Sequence, residues 1–463
     1  MVFPILGANT ESASYEIDNS IRINHNNAAY LSRSISSTGS ERIMTVSVWV
    51  KRSQLDHEHT IFSNKTSSSG INAMKLAFFS DNKLDWTVAT TGDSNKNITT
   101  NALFRDVAAW YHIVATVDTT QSTSTNRMKL YVNGTQITSF SSTSYPSQND
   151  DLRLSNSSYP HTIGEDPRDN TNFDGYIAEM HCLDGTAYDA SYFGETNDNG
   201  VWVPKEYTGG NYGTNGFYME FKQTGTSANS SGKGADTSGQ DNHFDDNSMD
   251  TQDICTDTPT NNFATGMPTA KYLGNQDVSN FNNGNLYLNQ GSPAGTRHIV
   301  ATFGSANMPF YFELNAANVD QDNDTRVGVV PVDSIAGIAI NGEHNQVVYR
   351  GNGEVVSTGE TALTSQGNIS DGTVVGVAID PDNNAKFYLD GTLTSTISIN
   401  STYRGPVYIP FFRHNGSFTV EWNFGNPPFS GCSNADANGY GQFKYSVPSG
   451  YYALCTKNLA EYG

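Results

Sequence analysis

The chain has 463 residues, of which 36% are hydrophobic and 16% are charged, and its formal net charge is −21. This length and composition allow two or three buried cores, which excludes a single small domain and a disordered acidic tail. Lys and Arg number 26 against 47 Asp and Glu, and no basic run is present, so the composition argues against nucleic acid and anionic lipid as partners.

The amino-terminal segment, residues 1–12, begins with the short apolar stretch MVFPILGANT, which Pro4 interrupts. It lacks the basic region of a secretion signal, and no apolar run elsewhere reaches membrane length. We therefore expect no signal peptide and no membrane insertion. We interpret residues 1–12 as a docking segment, and a first edge strand of a sandwich is the alternative.

The strongest periodic signal along the chain is the alternation of β-branched and aromatic residues with polar ones, which is typical of strands. Clusters of Asn, Gly, Ser, Thr and Asp separate these segments, as turns do in β-sandwiches. The pattern predicts an all-β fold with two jelly-roll-type β-sandwiches joined by a polar linker region rich in Gly, Ser, Asn and Asp. The clearest predicted strands are 44–51, 110–118, 127–134, 373–380 and 385–391.

Two hairpins of similar design occur in the two halves of the chain. In each, a strand ending in Asp118 or Asp380 is followed by a second strand that closes with Asn133-Gly134 or Asp390-Gly391. Asn-Gly and Asp-Gly supply the positive φ angles that a tight hairpin turn needs. The flanking strands do not match at a fixed period, so we predict two similar sandwiches and no short tandem repeat.

A polar region separates the halves and predicts the domain boundaries. It contains GGNYGTNGFYMEF and a long run of Gly, Ser, Asn and Asp, with one embedded strand at Gly216–Phe221. We interpret it as a linker region with short strands, because structureless loops beyond about 15 residues are uncommon in compact domains. A long loop of one sandwich is the alternative. The predicted division is 13–195 for the first sandwich, 196–284 for the linker region and 285–463 for the second sandwich.

Several sequence blocks in the first half occur in a characteristic order. They are VSVWVKR (46–52), WYHIVATVD (110–118), MKLYVNGT (128–135), HTIGED (161–166) and FDGYIAEMHCLDGTAYDASYF (173–193). In combination they resemble the laminin-G-like or pentraxin-like jelly roll of the concanavalin A-like lectin superfamily. The resemblance implies a sandwich in which the last block crosses the sheet.

A second set of blocks occupies the other half. They are PFYFELNAA (309–317), RVGVV (326–330), DGTVVGVAIDPDNNAKFYLDGT (371–392), VYIPFFRHNGSFTVEWNFG (407–425) and YSVPSGYYAL (445–454). Their order resembles that of a SPRY domain. The resemblance implies a second sandwich that binds partners through loops at one end and has no catalytic role.

A further resemblance covers nearly the whole chain. It rests on the opening VFPILGANTESASYEIDNSIRIN and on the join between the two halves, which contains YGTNGFYMEF, SSGKG and DTPTNNF (257–263). Both are similar to virion proteins of marine tailed phages. That resemblance implies a tail-fibre, appendage or head-decoration component, made in the host cytoplasm and displayed in many copies, or as a homo-oligomer, on the virion surface. The implied partners are other virion proteins of the capsid or tail and carbohydrate of the host surface.

The sequence offers no pattern for catalysis. The E-x-D-x-x-E strand of the glucanase members is absent, and the nearest carboxylates, Asp174 and Glu179, are five residues apart and are expected on opposite faces. No nucleophile elbow, Walker loop or HExxH motif occurs. We expect a binding protein and no enzyme, with a secreted carbohydrate-active enzyme or a free lectin as the alternative.

Acidic loops could supply the oxygen ligands that calcium prefers. The candidate metal ligands are Asp150, Asp151, Glu165, Asp166 and Asp169, with calcium as the candidate cofactor and solvated loop charge as the favoured alternative. A series of aspartates at 320, 322 and 324 imitates the start of an EF-hand loop, but the sixth and twelfth positions lack the required glycine and glutamate.

Aromatic residues near predicted turns are the candidate glycan-stacking residues, because a flat ring can pack on a sugar face. They are Trp86, Tyr145, Tyr159 and Trp202, and core packing is the alternative for each. The four cysteines show no CxxC spacing, and we interpret them mainly as buried thiols, although Cys432 and Cys455 could pair across a terminal hairpin.

Overall fold

The computed structural model describes residues 15–55, 57–64, 74–92, 94–166, 171–269, 280–291, 295–335 and 345–463. The predicted docking segment, residues 1–12, lies outside them. The described residues divide into two compact units, 15–260 and 261–463. Across these ranges no helix is long and apolar enough to cross a membrane.

The first unit is a two-sheet sandwich, as the alternating pattern predicts. Sheet 1 has the strand order β10-β9-β8-β3-β13-β1-β18, with β16 beside β13, and sheet 2 has the order β11-β7-β6-β5-β4-β12-β2-β17. The strands are β1 Ser20–Ile23, β2 Tyr30–Arg33, β3 Ile43–Arg52, β4 His59–Asn64, β5 Met74–Phe78, β6 Lys83–Ala89, β7 Asn95–Leu103, β8 Trp110–Asp118, β9 Met128–Val132, β10 Thr135–Gln136, β11 Phe140–Ser144, β12 His161–Ile163, β13 Gly175–Asp184, β14 Gly194–Thr196, β15 Trp202–Pro204, β16 Phe217–Met219, β17 Asp245–Asn247 and β18 Ile254–Cys255.

The core of this sandwich lies between its two sheets. Alternate residues of the central strands, such as Val46 and Val48 of β3 and Leu84 and Trp86 of β6, point into it and are fully buried. Because side chains alternate across a strand, the intervening residues face away from the core. Each sheet therefore has an outer face of its own composition.

The outer face of sheet 1 is covered by an aromatic layer. Tyr188, Phe193, Tyr207, Tyr212 and Tyr218 belong to the segment that follows β13, and they pack in one cluster with outward-facing aliphatic residues of β8 and β13. This layer removes most of the outer face of sheet 1 from solvent.

The chain divides at 260/261 and not at the predicted boundaries of 195 and 284. Residues up to 260 belong to the first sandwich: β16 pairs with β13, β17 with β2 and β18 with β1. The polar stretch between β16 and β17 is held by its own side chains, since the Asp236 carboxylate accepts hydrogen bonds from the backbone N–H of Tyr218, Ser238 and Asn242 at 2.8–2.9 Å. Polar composition here reflects side-chain-to-backbone bonding in ordered turns.

The second unit is also a two-sheet sandwich. Sheet 3 has the order β19-β20-β30-β22-β26-β27-β28, with β33 beside β22, and sheet 4 has the order β21-β29-β23-β24-β25. The elements are β19 Asn280–Asn282, β20 Tyr287–Gln290, β21 Thr296–Val300, β22 Phe310–Asn318, β23 Arg326–Pro331, β24 Val347–Arg350, β25 Val355–Ser357, β26 Thr373–Asp380, β27 Asn384–Leu389, β28 Thr392–Ser398, β29 Tyr408–Asn415, β30 Phe418–Asn423, β31 Asn434–Ala435, β32 Gln442–Phe443, β33 Tyr452–Ala453 and the helix α1 Thr456–Tyr462.

Both predicted hairpin turns are confirmed. Asn133 and Gly134 have φ angles of 47° and 78°, and Asp390 and Gly391 have 46° and 78°. Two successive positive φ angles define a turn whose twist matches that of the strands on either side. The paired strands are β9 with β10 and β27 with β28.

The cysteines are all free thiols. Cys182, Cys255 and Cys455 are buried and Cys432 is half-buried. The suggested bond between Cys432 and Cys455 is therefore not formed. Burial raises the pKa of the Cys432 thiol to about 12, so this sulfur stays protonated and poorly reactive at neutral pH.

Candidate functional site

The outer face of sheet 2 carries polar side chains and is the candidate site. We call it the polar face and define it by Tyr30 and Ser32 of β2, Thr162 of β12, Ser63 of β4, Lys75 of β5, Asp85 and Thr87 of β6, and Asn97 and Thr99 of β7. On β6 the polar residues alternate with core residues, so the strand itself sorts them to this face. Tyr30, Ser32 and Asn97 on the flanks are half-exposed, whereas the central residues are buried.

Asp85 is the centre of one hydrogen-bond network on the polar face. The hydroxyls of Thr87 and Thr99 donate to its two carboxylate oxygens, both at 2.6 Å, and Asn97 Nδ2 donates at 3.4 Å. Burial raises the pKa of Asp85, and these hydrogen bonds oppose that rise. The network fixes the rotamers of the flank residue Asn97 and its neighbours, which is the preorganisation that a binding surface requires.

Glu165 lies over the middle of the polar face. The chain leaves β12 and turns back, so that the carbonyl oxygen of Glu165 accepts hydrogen bonds from the hydroxyls of Ser63 at 2.8 Å and Thr162 at 3.1 Å. Burial and the neighbouring Asp166 charge raise the pKa of the Glu165 carboxyl to about 7. A carboxyl group that titrates near neutrality can either donate or accept a hydrogen bond.

Lys75 neutralises the carboxylates beside Glu165. Its ammonium group forms an ion pair with Glu58 and lies 4.0 Å from the Asp166 carboxylate. Lys75 and Asp166 are buried, while Glu58 is partly exposed. The Lys75 ammonium group thus lies beside Asp166, one of the predicted calcium ligands.

The structure does not assemble the predicted calcium ligands. Asp151 pairs with Arg42 at 2.6 Å, and the Asp150 carboxylate accepts a hydrogen bond from the Ser147 backbone N–H at 2.6 Å. Asp169 lies outside the described residues. Among the residues that the structure does describe, no three His, Cys, Asp or Glu side chains are grouped so that they could hold a metal ion.

The predicted glycan-stacking residues occupy four different environments. Trp86 is fully buried in the core, which corrects that prediction, because β6 directs it inward between Leu84 and Val88. Tyr145 is half-buried and packs against the same core. Tyr159 is half-buried, with the Arg153 guanidinium 5.2 Å from its ring centroid.

Trp202 is half-buried and serves packing. The backbone of Gly134 and of Gly194 packs directly against its indole ring. A Cβ added at these glycines would lie 2.3 and 2.5 Å from indole carbons. Its indole N–H donates to His112 Nδ1 at 3.0 Å, and the two rings stack with centroids 5.9 Å apart. The flat face that a sugar would need is covered by protein.

The two residues considered for glycoside hydrolysis contact different groups. The Asp174 backbone N–H donates to His59 Nδ1, at 3.4 Å. The Glu179 carboxylate lies at a β-bulge with a φ of 47°, under the aromatic layer, where Tyr15 and Tyr218 donate hydrogen bonds to it at 2.8–3.0 Å. The Glu179 carboxylate is thus held by hydrogen bonds within its own side of the sandwich.

Lys75 and Asp85 were not singled out by sequence reasoning. The signal that could have found Asp85 is the alternation in KLDWTVA (83–89), which directs Asp85 and Thr87 to one face and Leu84, Trp86 and Val88 to the other. The contact of Lys75 with Glu58 and Asp166 depends on three segments that only the fold brings together.

Residues 24–190 match the family model of the concanavalin A-like lectin/glucanases superfamily. The matched residues lie in the first sandwich, which is thus similar there to laminin-G-like domains of the concanavalin A-like type, in the region of its sequence blocks. No curated protein matches the chain.

Solved structures with a similar fold include three with low identity. A heptameric SAP-like pentraxin from Limulus polyphemus is 17% identical and covers 38% of this chain and 80% of its own, with a TM-score of 0.27. The SPRY domain of human HERC1 is 17% identical and covers 31% and 89%, with a TM-score of 0.25. Domains LG4-5 of the mouse laminin alpha1 chain are 8% identical and cover 91% and 92%, with a TM-score of 0.30. These likenesses are too weak to carry a functional assignment.

Proposed function

We propose that the chain is a non-catalytic carbohydrate-binding protein whose first sandwich binds glycan on its polar face. The match of residues 24–190 to the concanavalin A-like lectin/glucanases superfamily carries this proposal. Sugars are bound through hydroxyl groups and apolar ring faces, so a site for them needs fixed donors and acceptors beside an aromatic ring.

The composition of the polar face supports this choice of site. Tyr30 offers a half-exposed ring on one flank, and Asn97 offers an amide on the other. Between them the Glu165 carboxyl, with its pKa near 7, supplies a group that either donates or accepts a hydrogen bond. The aromatic layer covers the outer face of sheet 1, which favours sheet 2 as the binding side.

The proposal includes a place on a bacteriophage particle, as a tail fibre or appendage or as a head decoration. Its support is the resemblance of the opening and the join between the two halves to virion proteins of marine tailed phages. Rigid sandwiches displayed in many copies multiply weak contacts to a host glycan, so avidity replaces single-site affinity. The same surfaces could instead contact capsid or tail proteins.

The polar face is tested by glycan-array binding of the full chain and its Tyr30→Ala variant. We expect Tyr30→Ala to weaken binding of the glycans found by about tenfold, because loss of one stacking ring removes roughly 1–2 kcal/mol. Tyr192→Ala is the matched control, because Tyr192 is 43% exposed and stacks on Tyr188 of the aromatic layer.

Two results would contradict the site. One is equal binding by the Tyr30→Ala variant, and the other is a loss of binding confined to Tyr192→Ala. Repeating the array with EDTA tests the calcium hypothesis directly: because Lys75 lies among Glu58 and Asp166, we expect binding to persist without divalent cations.

A glycoside hydrolase is the second candidate, and one observation favours it. A carboxyl group with a pKa near 7, such as Glu165, next to an acidic neighbour is typical of a general acid in sugar hydrolysis. The test is to incubate the protein with the glycans that bind on the array and to analyse the products by mass spectrometry, which distinguishes hydrolysis from binding alone. Cleavage that the Glu165→Gln variant abolishes would replace the binding assignment with an enzymatic one.

The particle role is tested by gold-labelled antibody against this chain on intact phage particles. Label at the tail supports attachment to the host, and label over the capsid supports decoration. Absence of the protein from purified particles would overturn the virion assignment while leaving carbohydrate binding to be judged by the array.

A further inference from the structure

Three arginines form a row across sheet 4 of the second sandwich. In the strand register Arg326 of β23 lies directly opposite Arg350 of β24 on one side and Arg413 of β29 on the other. His298 of β21 is the next position, opposite Arg413. We call Arg350, Arg326 and Arg413 the arginine row.

Such a row is unfavourable unless its charges are balanced. Side chains directly opposite one another on antiparallel strands have Cβ atoms about 5 Å apart, and like charges at this distance destabilise the pair. Burial and the charges of Arg413 and Arg350 lower the pKa of Arg326 to about 10, and the charges of Asp324 and Glu354 oppose that fall. The arginine row is thus a local cluster of positive charge in a chain whose formal net charge is −21.

Among the described residues, carboxylates form direct ion pairs only with the two end arginines of the row, although the charges of Asp324 and Glu354 also act on Arg326. Arg350 forms an ion pair with Glu354, and Arg413 Nη2 lies 2.8 Å from Asp324. Arg326, in the centre, donates to the neutral acceptors Gln346 Oε1 at 3.0 Å and the Asn323 carbonyl oxygen at 3.1 Å. Within the part of the chain that the structure describes, Arg326 has no carboxylate partner.

Several guanidinium N–H groups of the row lack acceptors. Nε and Nη1 of Arg413 and Nε of Arg350 are buried and have no hydrogen-bond partner among the described residues. Leaving a charged donor buried without an acceptor costs more than leaving a neutral one, so such groups are usually satisfied by water or a bound anion.

Two residues bonded to the arginine row also line an open groove. Asn323, which accepts from Arg326, and Glu354, which pairs with Arg350, are also two of the groove-lining residues. The groove has a volume of about 1010 Å³, including space open to solvent. Its other lining residues are Asn352, Thr364, Ser365, Gly367 and Asn368. Amide and hydroxyl groups and the Glu354 carboxylate therefore line the groove beside the residues bonded to the arginines.

We propose that the arginine row is an oxyanion-binding site, which takes a sulfate, phosphate or carboxylate group. The guanidinium fork matches the geometry of these groups through paired N–H donors, and Arg is the side chain best suited to that recognition. An oxyanion at Arg326 balances the central charge of the row. The amides and hydroxyls of the groove then contact whatever carries the oxyanion, either an acidic saccharide or only solvent around a free ion.

The experiment is isothermal titration calorimetry of the full chain with sodium sulfate and with glucose 6-sulfate at constant ionic strength, using sodium chloride as the matched titrant. We expect both sulfates to bind where chloride gives no heat. Tighter binding of the sugar sulfate identifies an acidic saccharide as the carrier, and equal binding identifies the free anion. No binding of either sulfate would overturn the proposal.

Three variants locate the site. Arg326→Gln should weaken sulfate binding about tenfold, whereas Arg404→Gln, which alters an arginine paired with Asp382 outside the row, should leave it unchanged. Glu354→Gln should tighten binding, because it frees Arg350 from its carboxylate. This gain cannot come from misfolding. Unchanged affinity in both Arg326→Gln and Glu354→Gln would contradict the site even if sulfate binds elsewhere, and glycan binding by the polar face does not depend on either result.

Discussion

Buried carboxylates occur in both sandwiches. In the first sandwich two of them are paired with buried lysines, unlike Asp85 and Asp236, which neutral donors hold. In the first sandwich, Asp257 and Lys51 lie 2.9 Å apart and Asp246 and Lys233 lie 2.5 Å apart, and all four side chains are almost fully buried. A buried ion pair of this kind costs desolvation on both sides, and its attraction offsets that cost only while both partners are present.

In the second sandwich the buried carboxylates are held by neutral donors. Glu313 accepts hydrogen bonds from the backbone N–H groups of Lys444 and Tyr445, each at 2.9 Å. Asp436 accepts from the backbone N–H of Ala453 and from Asn458 Nδ2, both at 2.8 Å. Bonds from N–H groups to an ionised acceptor are among the stronger hydrogen bonds in proteins.

This difference determines which Lys and Arg side chains of each sandwich can contact a ligand. The first sandwich commits Lys51 and Lys233 to its interior, where they can contact no ligand. The second satisfies its interior acids without Lys or Arg side chains, and its arginines can form the arginine row beside the groove. In the second sandwich, therefore, the arginines proposed to bind a ligand are not needed to hold the buried carboxylates, whereas Lys51 and Lys233 of the first sandwich are used in its interior.

The largest expected effect comes from removing one partner of a buried pair. Lys51→Met should lower the free energy of unfolding of the first sandwich by about 3–5 kcal/mol, because it leaves the buried Asp257 charge without its lysine counterion. Hydrogen exchange with mass spectrometry measures this in β3 and β8, with β22 and β26 of the second sandwich as the internal reference. Adding Asp257→Leu to the variant should restore most of the loss, and a loss of only a few tenths of a kcal/mol would contradict the comparison.

Acid should destabilise the first sandwich through its buried histidines. Burial lowers the pKa of His112 and of His161 to about 3, and that of His59 well below its usual range. Between pH 6.5 and 3 the unfolded chain binds protons that the folded sandwich does not, so stability is full above pH 6.5 and falls as the pH drops. At pH 5 the expected loss is about 2 kcal/mol each for His112 and His161.

Hydrogen exchange at pH 7 and pH 5, corrected for intrinsic exchange rates, checks this pH dependence. In the second sandwich burial lowers the pKa of His414 as well, so that sandwich should respond with fewer protons. His112→Gln should flatten the profile of the first sandwich. An equally steep profile in wild type and variant would show that His112 does not contribute.

A smaller effect is expected from neutralising a carboxylate in the second sandwich. Glu313→Gln should cost about 1–2 kcal/mol, since the amide keeps one acceptor but presents its NH₂ to the N–H groups of Lys444 or Tyr445. Denaturant unfolding followed by exchange in β22 measures it, with Asp436→Asn as a second example of the same change. A cost as large as that of Lys51→Met would erase the distinction between the two kinds of neutralisation.

The fold class was predictable because alternation and turn residues are local signals. Trp110–Asp118 and Thr373–Asp380 were predicted to the residue, and both Gly-containing hairpin turns follow from the need for positive φ. Strand β16 lies within the predicted strand Gly216–Phe221, but β15, β17 and β18 have two or three residues each, too few for a periodic pattern. Their order depends on pairing with distant strands, which is why the region before 260 was interpreted as a linker.

The candidate sites were less predictable, since they depend on pairing register. Glu165 and Asp166 were found from sequence because the two acids are adjacent. The arginine row joins positions 326, 350 and 413, and nothing local to any one of them indicates the others. A register shift of one residue would direct one of these side chains to the opposite face of sheet 4.

The way β18 pairs with β1 has a consequence for folding during synthesis. Ser20 of β1 lies opposite Cys255 of β18, and Leu31 of β2 lies opposite Asp246 of β17. At roughly 5–20 residues per second, the ribosome takes on the order of 10–50 s to make the partners of these early strands. Until then β1 and β2 expose unpaired edges, which are templates for pairing with other chains. We therefore expect the yield of soluble protein to depend on translation speed and temperature more strongly than its final stability does.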